Sequence, residues 1–177
     1  MATLGKKTKS FRLPQLFEIK AGDFHATKEL DTGKVPLISC GDEDNGLVGF
    51  FQVPKENIYE RCLTVAFNGT PLLTKFHPYR FGAKDDVAVL IPRESMPDST
   101  LLYIAALLNR MTWRYSYGRK CFRQKLEGVS ISLPVARLHS KLDQLAMEKI
   151  AKNTKYWHEL ARQCRSLRAT EISAKKT

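Results

Sequence analysis

A chain of 177 residues with 43% apolar side chains is long enough for one packed domain and too apolar to be disordered by composition. Its longest apolar run, LLYIAALL at 101–108, cannot cross a bilayer, and no hydrophobic segment follows the basic start MATLGKKTKS. The expectation is therefore a cytoplasmic protein with no membrane span and no secretory signal. The net charge of +11 is unevenly placed: residues 1–109 carry 13 basic and 13 acidic side chains, whereas residues 110–177 carry 16 and 5. Such asymmetry points to a polyanionic partner, with a solvated basic helix as the plain alternative.

The first half is punctuated every few residues by Gly, Pro, Asn and Asp. Between them lie runs that read as strands: VPLIS (35–39), LVGFFQV (47–53), LTVAF (63–67), VAVLI (87–91) and the strictly alternating VSISL (129–133). GDEDNG at 41–46 and NGTP at 68–71 supply turns, because Asp, Asn and Gly tolerate positive φ. The segment LLTKFHPYRFG after the second turn reads as an aromatic, basic excursion that returns to VAVLI.

MPDST opens a helix, capped by Asp98 or Ser99, that should end near Tyr115–Gly118. Leu101, Leu102, Ala105, Leu108 and Met111 would face the core, joined by Trp113. From about Arg137 to Arg168 there is neither Gly nor Pro, and Ala146, Ile150, Asn153, Trp157, Leu160, Cys164 and Leu167 recur at 4,3 spacing after Leu138, Leu142 and Leu145. This predicts one amphipathic helix, about 48 Å long at 1.5 Å per residue. Its stripe suits a coiled coil with Asn153 fixing the register; the alternative is a curved helix folded back on the domain. The expected architecture is an α/β domain with a mixed sheet over 1–136, a long coiled-coil helix over 137–170 that pairs two copies as a homodimer, and a frayed tail over 171–177.

Covalent chemistry finds little support. There is no GxSxG, Walker, HExxH or glycine-rich dinucleotide motif. Cys40, Cys62, Cys121 and Cys164, like His25, His77, His139 and His158, are scattered without metal-ligand spacing, so reduced thiols, no metal and no cofactor are expected. NGTP lacks the aromatic of an adenine-methyltransferase loop, and KDDVAVLIP lacks the lysine of a metal-dependent nuclease. Asp85 and Asp86 therefore read as turn residues.

Binding is better supported. WRYSYGRKCFRQK (113–125) packs four aromatics and five cations into thirteen positions with no acid, and TKFHPYRFG (74–82) is a second such segment. Cations neutralise phosphates while aromatics stack on bases or sugars. Phe76, Phe81 and Phe122 read as core. The candidate DNA-facing residues are Lys75, His77, Tyr79, Arg80, Tyr115, Tyr117, Arg119, Lys120, Arg123 and Lys125.

The collinear series LPQLFEIKAGDFHATKELDTGKVPLIS, DNGLVGFF, LTVAFNGTPLLTKFHPYRF, DDVAVLIP, a helix, and VSISLP before a long helix resembles a target-recognition domain. The family is that of the DNA specificity (S) subunits of type I restriction–modification systems, with their type IIB and IIG relatives. The resemblance covers roughly 11–136. It implies a non-catalytic subunit that reads double-stranded DNA in the major groove. The following helix would act as a spacer that docks DNA methyltransferase subunits and, in some systems, a restriction nuclease. Family members carry two recognition domains and two spacer helices, whereas this chain has one of each. LPVARLHSKLDQL stands where the family has a proline pair followed by Glu-Gln. The competing readings are a fragment of a nuclease or methyltransferase, or a basic coiled-coil protein that binds an acidic partner.

Overall fold

The computed structural model describes residues 7–116, 118–136 and 142–151. In chain order the strands are β1 (Thr8–Arg12), β2 (Phe17–Ala21), β3 (Thr32–Ile38), β4 (Leu47–Phe51), β5 (Tyr59–Ala66), β6 (Thr74–Ala83), β7 (Val87–Pro92) and β8 (Ser130–Pro134). The helices are α1 (Leu13–Leu16), α2 (Asp98–Asn109), α3 (Arg123–Glu127) and α4 (Gln144–Ala151). Six strands form one sheet in the order β2-β7-β5-β6-β3-β4, and β1 pairs with β8 in a separate ribbon. β3 runs parallel to β6, while the other pairings are antiparallel. The expected α/β domain with a mixed sheet is what forms.

Strand periodicity sorts the side chains between the two faces of the sheet. Leu63 and Val65 of β5, Ala88 and Leu90 of β7, and Phe76 of β6 face the larger core, shared with α1, α2, α3, β8 and Met147 of α4. Cys62, Val87, Val89, Tyr79 and Phe81 face a smaller cluster on the opposite side. Burial on both faces is why LTVAF and VAVLI read as continuous apolar runs. β1 buries no side chain fully and β2 only Phe17 and Ile19, which leaves TKSFR and FEIKA without a strand signature.

Several expectations are corrected. Residues 74–83 are not an excursion but β6, a strand between β5 and β3. Neither Asp98 nor Ser99 caps α2 through its side chain; the Asp98 carboxylate instead pairs with Arg61 Nη2 at 2.7 Å. Arg61 sits at φ 52° where the β5–β6 register shifts, so a bulge aims its guanidinium at the helix start. α2 ends at Asn109, earlier than expected. The Asn109 amide accepts from Thr74 N (2.6 Å) and donates to Thr74 O (2.9 Å), fastening the end of the helix to β6.

The C-terminal helix does not begin at Arg137 in one sweep. Leu142 makes a bridge with Val135, and Asp143 Oδ1 accepts from Ala146 N (2.9 Å), capping a helix that starts at Gln144. α4 packs against α2 through buried Ala146 and Met147, and Ile150 is exposed. Leu138, Asn153, Trp157, Leu160, Cys164 and Leu167 lie outside the described residues. Among the described residues, no helix is long and apolar enough to cross a membrane.

Candidate nucleic-acid interface

The two aromatic, basic segments have different fates. In 74–82, β6 turns three candidates inward. Lys75 is buried and its Nζ donates to the Gly41 carbonyl. Burial lowers its pKa, opposed by the nearby charge of Asp42. His77 is fully buried: Nδ1 accepts from the Tyr79 hydroxyl (3.0 Å) and lies 3.2 Å from Asn45 Nδ2, so Nε2 carries the hydrogen and donates to Thr64 Oγ1 (2.8 Å). Desolvation, and secondarily the charge on Lys75, push the His77 pKa down to about 3. Tyr79 is buried in the same network.

These three side chains form an interior polar network rather than a surface, because strand alternation placed them between sheet and turn. Only Arg80 of this segment is exposed, opposite Glu60 in β5. The 41–46 turn that covers the network depends on left-handed backbone at Asp44, Asn45 and Gly46. At Gly46, φ is +79° and a Cβ would lie 2.5 Å from the Ser39 carbonyl, so glycine is required there.

The second segment does build a surface. After α2, a 3-10 turn (Thr112–Arg114) leads into a tight loop in which Ser116 and Arg119 pair through their backbones. Cys121 is fully buried and pins this loop to the core, and burial raises its thiol pKa. α3 follows and returns the chain to β8. The loop, the 3-10 turn and the α3–β8 junction enclose a cleft of about 530 Å³, lined by Arg114, Tyr115, Arg119 and Lys125 over a floor that includes Leu72 and Met111. Three cations and no carboxylate line it. Tyr115 is half-buried, with its phenol pKa raised chiefly by desolvation.

Of the other candidates, Lys120 lies at the rim, where its carbonyl accepts from Lys125 Nζ at 3.1 Å. Arg123 points elsewhere: its Nε meets Glu127 at 2.9 Å and it borders a second, mixed-charge cleft with Glu18, Lys20 and Arg93. Arg80 is not among the cleft-lining residues, and Tyr117 lies outside the described residues.

Two aromatics expected in the core are not there. Trp113 is 77% exposed and Phe122 is 53% exposed, each with a cation near its ring: Arg114 at 5.3 Å and Lys120 at 5.8 Å. Arg114 is the cleft residue that sequence reasoning passed over. The sequence pattern places it at the helix end, although it belongs to the same aromatic and basic run. Asp85 and Asp86 are turn residues, as expected: Asp86 accepts from Ser39 Oγ (2.8 Å) and Cys40 N (3.2 Å), and Asp85 pairs with His25 (2.7 Å). Among the described residues no cluster of His, Cys, Asp and Glu could hold a metal ion.

The fold and cleft define a mixed α/β module with an electropositive surface built on loops. No family model matches the chain. Over 126 residues, 70% of its length, the chain is 25% identical to the specificity subunit S.BcgI of a type II restriction enzyme from Heyndrickxia coagulans, of which it covers 37%. Its fold matches the S subunit of the type I restriction–modification system from M. genitalium (TM-score 0.67, 13% identity), over 97% of this chain and 44% of that one. The HsdS subunit from Thermoanaerobacter tengcongensis matches over 99% of this chain and 44% of that one (TM-score 0.58, 17% identity). The resemblance to restriction–modification specificity subunits therefore holds in sequence and in fold, and the chain spans less than half the length of these relatives.

Proposed function

We propose that the chain is a sequence-specific DNA-binding specificity subunit of a restriction–modification system. It is non-catalytic and brings a DNA methyltransferase, and in some assemblies a nuclease, to its site. The observation that carries this reading is the match to a specificity subunit over 70% of the chain. The cationic cleft supports it, since Arg114, Arg119 and Lys125 can hold phosphates while neighbouring side chains reach base edges. Tyr115 lines the cleft, and Arg80, Tyr117, Lys120 and Arg123 remain candidate contacts on the sequence pattern. Lys75, His77 and Tyr79 are not proposed, because their side chains are interior. The test is binding of duplex DNA by the purified chain, read by anisotropy of a labelled duplex; failure to bind at low salt would overturn the proposal.

The chain spans 37% of the length of the first of these relatives and 44% of the others. With one recognition domain and one heptad stripe, the simplest completion is a second copy related by a two-fold axis, paired through the helix that the sequence pattern continues past α4. Burying Trp157 and Leu160 in such a seam is worth about 2–3 kcal/mol each. The dimer would present two identical recognition domains and prefer an inverted repeat with an unread spacer. Sedimentation of the chain should show a dimer, and Trp157→Asp or Leu160→Asp should give monomers. A wild-type monomer would rule out the homodimer and leave the stripe to a methyltransferase subunit.

A further inference from the structure

We propose that Trp113 is a base-reading residue whose indole packs on the 5-methyl group of thymine in the major groove. This deepens the DNA-recognition reading and rests on it. Trp113 is thrown outward by the way α2 ends. The helix buries Leu101, Leu102, Ala105 and Leu108, and stops where Asn109 is clamped to the main chain of Thr74. The 3-10 turn then redirects the chain, and Trp113 emerges with 77% of its surface in water. Exposure of one aromatic is not by itself a signal, but Trp113 stands beside Arg114 of the cationic cleft, and tryptophan, apolar in body with a polar N–H, is enriched where surfaces bind.

Its surroundings identify the partner. Arg114 lies over the ring at 5.3 Å and lines the cleft together with Tyr115, Arg119 and Lys125. An apolar protein surface would not be matched by this density of positive charge, whereas a nucleic-acid duplex would. A duplex offers an exposed indole two apolar targets. The base faces are covered by stacking and become accessible only if a step is opened. The thymine methyl stands free in the major groove and is the group there that apolar side chains contact. With phosphates held by the cleft, the neighbouring indole is placed to meet it without distorting the helix.

Uracil differs from thymine only by this methyl group, so the probes are a short alternating adenine–thymine duplex and its adenine–uracil counterpart. The full chain should bind the thymine duplex about fourfold more tightly, the worth of burying one methyl group. Trp113→Ala should bind both duplexes equally, with an unchanged salt dependence, and Trp113→Phe should keep part of the preference. Equal binding of the two duplexes by the wild type, or a preference that survives in Trp113→Ala, overturns the proposal and leaves DNA binding intact. Absence of binding to either duplex overturns the DNA reading itself and this assignment with it.

Discussion

Raising the salt concentration from about 50 to 200 mM is expected to weaken duplex binding roughly 250- to 1000-fold, the effect of releasing counterions from about five phosphates at a log–log slope near −4 to −5. Five cations fall in the run that builds the cleft and its flank: Arg114, Arg119, Lys120, Arg123 and Lys125. They are not equivalent. Arg114, Arg119 and Lys125 line the cleft, while Arg123 is engaged by Glu127. Arg119→Ala and Lys125→Ala should each weaken binding to all sequences alike and flatten the slope by about one. Arg123→Ala should do less. Arg80→Ala, if Arg80 reads a base, should relax preference at one position by about 1–3 kcal/mol and leave the slope nearly unchanged. Anisotropy titrations over a salt series separate these outcomes. A flat salt dependence at measurable affinity would refute phosphate clamping.

Acid is expected to destabilise the fold through His77. In the folded chain its pKa is pushed down to about 3, from an ordinary value of 6.5, chiefly by burial. Between these values the unfolded chain binds a proton that the folded chain refuses, so stability falls as the pH is lowered. The contribution is complete above about pH 6.5 and is lost progressively towards pH 3, amounting to about 3 kcal/mol by pH 4. The geometry gives the cause: Nδ1 already accepts from Tyr79 and faces the Asn45 amide, and Lys75 lies nearby. A second ring proton would meet donors in a site closed to water. Urea unfolding at pH 7, 5 and 4 measures this, with His77→Gln as the reference in which the carboxylates still titrate. If the wild type and the variant lose stability with the same pH slope, His77 is not held neutral by its burial. The same network predicts that its members serve the fold, since the 41–46 turn, β5 and β6 meet there.

The sequence by itself determined the mixed α/β class, five of the strands, the apolar face of α2 and the family resemblance, because each of these is written in local periodicity and order. Leu101, Leu102, Ala105 and Leu108 had to share a helix face, and VAVLI had to be buried on both sides, whatever surrounded them. The concentration of charge after residue 110 was likewise legible without coordinates. Which aromatic and basic residues reach the surface was decided only by the tertiary structure. TKFHPYRFG and WRYSYGRKCFRQK are alike in composition, yet strand pairing on both sides of β6 draws Lys75, His77 and Tyr79 inward, while the end of α2 and the Cys121 anchor turn Trp113, Arg114 and Arg119 outward. Composition records that a side chain can bind an anion. Whether it is free to do so depends on which neighbours the fold brings to its other side: Gly41 and Asn45, some thirty residues away from β6, claimed these groups first.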